Sequence, residues 1–323
     1  MSKKGKVMVA VKTLFVNRTE RRYRALWRIL FQIGIMLFVV ALPIAGLTEA
    51  ATWLFKSGRI HCTPELFDKI MDMAIGVLLT VLVLLSISIA GRWLDHRKFR
   101  DFGTHLSLSW WKQYFSGIIL ASMLMALLFT VESIAGWVSI KDYFHASIIT
   151  LPWWVAFTYP VIRALCVGVY EEALSRGYHI TNLKEGLSGV WNLSERRALV
   201  LSVVLSSAFF GILHIRNPNA GIISTLSLAI NGAFFATAYA LTGQLALSMG
   251  LHTAWNLSQG WIFGFPVSGD PEIMTMIYIQ QSGPAYVTGG DFGPEGGLLG
   301  LSTSIAGIIM LISFRSLVRV RKS

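Results

Sequence analysis

Residues 74–90 read AIGVLLTVLVLLSISIA, seventeen residues without one charge. As a helix rising ~1.5 Å per residue this stretch is about 26 Å long, close to the ~30 Å of a bilayer's hydrocarbon core. Runs of the same kind recur on both sides of it: Ile29–Leu47, Phe115–Ala135, a long segment Ala146–Leu183 interrupted by Pro152 and Pro160, then Leu199–Leu213, Gly221–Leu241, Leu245–Phe265 and Leu298–Phe314. Unpaired backbone groups are costly in lipid, so each run is expected to close its hydrogen bonds as a helix. The reading is an all-α chain, a polytopic membrane helix bundle of about eight transmembrane helices.

Composition agrees. Of 323 residues 54% are hydrophobic and 14% charged, with a mean hydropathy of +0.59. A water-soluble globule needs more polar cover than this, and disorder requires low hydrophobicity. The formal net charge of +11 would suggest nucleic acid on a soluble protein. Here it sorts by loop instead: with the N-terminus inside, 21 of the 28 Lys and Arg lie in the inner segments, which places both termini in the cytoplasm and leaves no nucleic-acid partner implied. A retained first helix is expected rather than a cleaved leader, because the basic stretch is long and the apolar run after it is span-sized. Cys62 and Cys166 fall at different depths, so no disulfide is expected. Trp110, Trp111, Tyr114, Trp137, Trp153 and Trp154 fall at helix ends, as interfacial rings do. The loop from Pro266 to Gly297 is Gly-rich and read as irregular.

The organisation expected is a basic cytoplasmic segment (1–28), three transmembrane helices (29–145), a helix bundle carrying the polar residues (146–314) and a basic cytoplasmic tail (315–323). Ionisable groups at membrane depth are expensive and mark sites by default. The first three spans offer only edge cases such as Glu132. The fourth to seventh contain Arg163, Glu171, Glu172, Arg176, His179, His214 and His252, with Asn231 and Asn256.

Spacing sorts these groups. Glu172 and Arg176 are i, i+4 with the acid first, the favoured ion-pair order; Glu171 lies about 100° round the helix without such a partner. The pair reads as charge-cancelling structure and Glu171 as the group free for chemistry. The blander reading is that both acids simply pair with basic groups at a helix end. Phe210 and His214 are i, i+4 on the fifth helix, and His252 and Asn256 on the seventh. Each pair shares a helix face, so three helices can aim a Glu, two His and an Asn at one point. Depths counted along the helices do not coincide, about 20 Å for Glu171, 30 Å for His214 and 13 Å for His252 from the inner ends. Tilt or a broken helix, for which Pro152 and Pro160 offer places, must bring them together. The face from which a site opens is left undecided.

Glu-Glu-x-x-x-Arg at Glu171, Glu172 and Arg176, Phe-x-x-x-His at Phe210 and His214, and His-x-x-x-Asn at His252 and Asn256, in that order on apolar helices, resembles the CPBP family of CAAX-protease and bacteriocin-processing membrane proteins. The stretch from Ser282-Gly283-Pro284 to Gly296-Gly297 is similar to a loop in many bacterial members. The resemblance covers about Pro160 to Phe314. It implies an eight-helix bundle with a polar intramembrane cavity, a peptidase acting on a peptide or membrane-protein substrate, and a multi-pass protein of a bacterial cytoplasmic (inner) membrane. It further implies that Glu171 and His214 activate a water, that His252 and Asn256 hold the oxyanion, and that Glu172, Arg176 and Phe210 support them. Older naming in the family says metalloprotease, and Glu171, His214 and His252 offer a His₂Glu zinc set with an open position. No His-Glu-x-x-His helix is present, and the sequence leaves zinc and Glu–His chemistry both open. A Ser or Cys nucleophile is poorly supported: Cys166 is off the face of Glu171, and there is no Gly-x-Ser-x-Gly elbow. Two other functions use the same polar groups: a proton or metal-ion relay in a transporter, without the internal repeat that many transporters show, and a non-catalytic peptide-binding or immunity protein.

Overall fold

A computed structural model describes residues 15–17 and 22–313. The basic segment 1–28 is only partly among them, and the basic tail 315–323 lies outside them. Eight helices of twelve residues or more follow in chain order: α1 (Ala25–Lys56), α2 (Pro64–Ala90), α3 (Leu108–Ile134), α4 (Trp153–Glu172), α5 (Glu195–Leu213), α6 (Ile222–Thr242), α7 (Leu245–Asn256) and α8 (Leu298–Ser313). Six helices, α1 to α6 with their direct extensions, are long and apolar enough to cross a membrane. The remaining two are shorter: α7 has 12 residues and α8 has 16. The chain is thus a polytopic helical membrane protein, with six rather than eight helices of full spanning length among the described residues.

Local chemistry explains where these helices start. Thr63 accepts a hydrogen bond from the Leu66 N–H at 3.3 Å and Pro64 follows it. Ser107 does the same for Trp110 at 3.2 Å, and Ser194 for Arg197 at 3.4 Å. Each hydroxyl satisfies one of the orphan N–H groups of a first turn. Pro152 caps α4 rather than interrupting it, and Pro160 sits inside that helix without ending it. The departures from α geometry come later. Wide π-helical turns run from Ala173 to Ile180 directly after Glu172, and from Leu257 to Ile262 directly after Asn256. Such turns shift the register of the side chains around them and recur at functional sites.

Helix α7 is the hub. From Leu245 to Trp255 every residue is buried, because the helix packs against α3, α4 and α6. Its neighbours approach closely at glycines. A Cβ on Gly117 of α3 would lie 2.8 Å from the Leu251 nitrogen, and one on Gly168 of α4 would lie 2.9 Å from the Thr253 nitrogen. Small residues let membrane helices bring their backbones together in this way, where lipid supplies little hydrophobic drive.

Three expectations are corrected. The loop after α7 is not wholly irregular: β2 (Met274–Gln281) pairs antiparallel with β1 (Val138–Ala146), in register Val138 with Gln281 and Ala146 with Met274. The fourth apolar segment gives Ala146 to β1, its next six residues form a turn, and its helix begins at Trp153. Trp110 and Tyr114 are not interfacial rings but core, at 5% and 8% exposure. Trp110 donates its indole N–H to the Gly103 carbonyl. Trp111, Trp153 and Trp154 remain exposed.

The far end of the bundle is closed by charge. Arg28 is buried against Asp95 and Glu185, both at 2.8 Å, and Glu185 also binds Arg22 and Arg97. This ties α1, the turn after α2 and the continuation of α4 into one end, about 20 Å along α4 from Glu171.

Candidate active site

Glu171, at the end of α4, is 21% exposed at its side chain and lines a cavity of about 430 Å³. His214, the C-terminal cap of α5, and Asn256, the last residue of α7, line the same cavity. A recess of about 30 Å³ opens among Glu171, Phe210, His214, His252 and Asn256. All four sequence-predicted catalytic candidates therefore meet there. Its size suits a single water molecule, and its walls are polar enough to hold one.

The two imidazoles are held by their inner nitrogens. His214 Nδ1 donates to the Phe210 carbonyl at 2.8 Å, one turn back on the same helix, leaving Nε2 as the free acceptor of the neutral ring. His252 Nδ1 donates to Glu172 Oε1 at 2.8 Å, and its Nε2 stands 3.9 Å from Glu171 Oε2. The His252 ring stacks on Phe235 at 4.6 Å and meets the edge of Phe210 at 6.0 Å, so both its tilt and its rotation are constrained.

Glu172 and Arg176 do pair, at 3.2 Å and without exposure at either side chain. The guanidinium also lies over the Phe210 ring at 4.6 Å and donates to the Gly232 carbonyl at 3.0 Å. Charge cancellation is only part of what Glu172 does, because its carboxylate also accepts from His252 and from Ser248. Ser248 is one turn before His252 on α7, so α7 presents two donors to one acid. Sequence spacing missed Ser248, although i, i+4 from His252 was the signal for it.

The rest of the cavity wall comes from the loop after α7. Ser268, Asp270 and Glu272 line it, facing Arg163 of α4. Arg163 bonds Asp270 at 2.9 Å and approaches Glu272 at 3.6 Å. Burial pushes the Glu272 carboxyl above the ordinary carboxylate range, with the Arg163 charge opposing. Glu295, from the Gly-rich stretch, reaches the recess. Reading that loop as irregular concealed both walls, although the alternation in Met274–Gln281 and the Ser268-Gly269 pair were strand and turn signals. His179 and Asn231 divide: Asn231 lines the recess, bonded to Ser304 at 3.2 Å, whereas His179 is not among the residues lining the recess or the cavity.

The zinc alternative fits poorly. Among the described residues no group of three His, Cys, Asp or Glu side chains is arranged to hold a metal ion. Glu171, His214 and His252 share the recess without forming such a set, so their arrangement does not support a metalloprotease.

One comparison with known proteins finds a match in the part of the chain that carries the three motifs. Residues 151–258, about a third of the chain, match the family described as type II CAAX prenyl endopeptidase Rce1-like. No curated protein and no solved structure matches the chain. The matched segment contains Glu171, Glu172, Arg176, Phe210, His214, His252 and Asn256 and stops before the loop that carries Ser268 and Glu295. Over residues 151–258 this membrane protein is similar to the family of type II CAAX prenyl endopeptidases described as Rce1-like.

Proposed function

We propose that the protein is an intramembrane endopeptidase that hydrolyses a peptide bond with a water held between Glu171 and His214. The observation that carries this reading is the shared recess, in which a carboxylate, two imidazoles and an amide from three helices meet in a volume suited to one water. Amide hydrolysis needs a base for water and donors where negative charge develops. Both are available. The His214 Nε2 lone pair and the Glu171 carboxylate take the water proton as oxygen attacks the carbonyl carbon. The Asn256 amide and His252 Nε2–H receive the oxyanion. That second role requires His252 to carry protons on both nitrogens, and Glu172 at Nδ1 supplies the counter-charge. Collapse then breaks the C–N bond, and the proton passes from the Glu171–His214 pair to the leaving amine.

The cavity wall formed by Ser268, Asp270 and Glu272 belongs to the stretch that the basic-residue count assigns to the outside. This supports access from the non-cytoplasmic face, with both termini inside. The substrate class is a peptide or a membrane-protein segment.

Two outcomes are expected from protein purified in detergent and offered a quenched-fluorescence peptide library. Asn256→Ala should lower kcat about a hundredfold to a thousandfold, the usual effect of removing one oxyanion donor, with KM little changed. A strong chelator should leave the rate within about twofold of its starting value, since no step is routed through a metal. Full loss of activity with chelator, restored by zinc, would return His252 to the role of ligand. Ion flux in proteoliposomes without peptide cleavage would favour transport, and tight peptide binding without cleavage an immunity or carrier role.

A further inference from the structure

We propose that Glu295 is a positioning residue for this reaction: it clamps the Val267–Asp270 turn, a wall of the substrate cavity, against the helix that carries His252 and Asn256. The proposal rests on the peptidase reading above. Glu295 lies outside the segment matched by the family, and it is 3% exposed. A carboxylate so deeply buried is tolerated only if it is well bonded. One oxygen accepts from both the Ser268 N–H and the Ser268 hydroxyl, each at 2.7 Å, and the other accepts from the Trp255 indole N–H at 3.2 Å. Trp255 directly precedes Asn256 on α7.

What Glu295 holds is a disfavoured backbone. Val267 and Asp270 bond to each other in both directions, at 2.8 and 3.0 Å. The two residues between them have positive φ, 52° at Ser268 and 90° at Gly269, the pattern of a type I′ turn. Glycine takes that conformation freely, whereas serine does not. Ser268 is therefore kept there by its surroundings: Glu295 at its N–H and hydroxyl, and the Asn217 amide donating to its carbonyl at 3.1 Å. The same turn carries Asp270, which binds Arg163 across the cavity. Without the clamp, Ser268 is free to leave positive φ, and the cavity wall moves with it.

The test uses full-length protein and a peptide that the wild type cleaves. Glu295→Gln places an amide N–H against the donors that its carboxylate served. Two changes are expected together: hydrogen–deuterium exchange at the amides of 267–270 rises by about tenfold or more, and kcat/KM falls about tenfold to a hundredfold, chiefly through KM. Ser268→Gly makes the turn conformation intrinsically easy, so the double variant should regain kcat/KM to within about threefold of Ser268→Gly alone. A merely structural acid would lower the melting temperature without this KM change or this rescue. If Glu295→Gln does not fold, Ser268→Ala removes only the hydroxyl bond, and a fall of about fivefold is expected. Wild-type exchange at 267–270, wild-type kcat/KM, or a loss confined to kcat with a displaced pH profile would each overturn the proposal. The exchange readout does not depend on cleavage, so a folded wild-type protein that cleaves no peptide would sink the peptidase reading, while a rise in exchange at 267–270 in Glu295→Gln would still show the clamp.

Discussion

Glu171→Ala is expected to abolish peptide cleavage, with a fall in kcat of about a thousandfold or more, while the protein keeps its fold. The size follows from the role. A positioned general base contributes roughly a hundredfold to ten-thousandfold, and alanine also removes the acceptor that orients the attacking water. The retained fold follows from the surroundings. Glu171 faces the cavity with its side chain 21% exposed, and its contact with His252 is long, so its loss strands no buried cation. Glu171→Gln keeps the shape and removes the base, and it should be nearly as inactive. Unchanged Tm in detergent together with lost cleavage is the expected pairing. Cleavage by either variant at the wild-type rate would remove Glu171 from the mechanism.

Glu172→Ala should fail differently, by losing stability. Arg176 has no exposure at its side chain, and removing one partner of a buried pair costs about 3–5 kcal/mol because the other charge is left uncompensated. In a chain of this size that corresponds to a fall in Tm of about 4–7 °C, readable by thermal unfolding in detergent. The double variant Glu172→Ala with Arg176→Met separates the two parts of the residue's work. Replacing both charges by apolar groups should return most of the stability. Activity should stay low, because His252 Nδ1 would still lack the acceptor that now sits 2.8 Å away. Recovery of activity along with stability would mean that Glu172 is structural only and that His252 needs no anchor.

What the sequence revealed and what it hid follow from the range of the interactions involved. The spanning helices were legible because each is decided within its own twenty or so residues. The i, i+4 pairs were legible for the same reason: Glu172 with Arg176, Phe210 with His214 and His252 with Asn256 are set by one helical turn. That three helices bring Glu171 and the last two of these pairs to one recess was inferred from the cost of charge in lipid, not from any pattern of contacts. The β1–β2 pairing was hidden because Val138 and Gln281 are partners across four intervening helices, α4 to α7. Ser268 and Glu295 were hidden because their importance lies in two hydrogen bonds between separate turns of an extramembrane loop. Trp110 and Tyr114 were misread because an aromatic at a helix end serves equally as an interfacial ring or as core, and only the packing of α3 on α7 decides. The helix irregularities that flank the site are the wide turns after Glu172 and Asn256, not a break at Pro152 or Pro160.

The central claim is that this recess hydrolyses a peptide bond with water. Mass spectrometry of a peptide library incubated with wild-type protein in H₂¹⁸O tests it most directly. The predicted result is pairs of fragments split at one peptide bond, the new carboxyl carrying one ¹⁸O, with both fragments missing when Glu171→Gln replaces the wild type. Intact peptides after incubation with folded wild-type protein, or the same fragments from Glu171→Gln at the same rate, would contradict it.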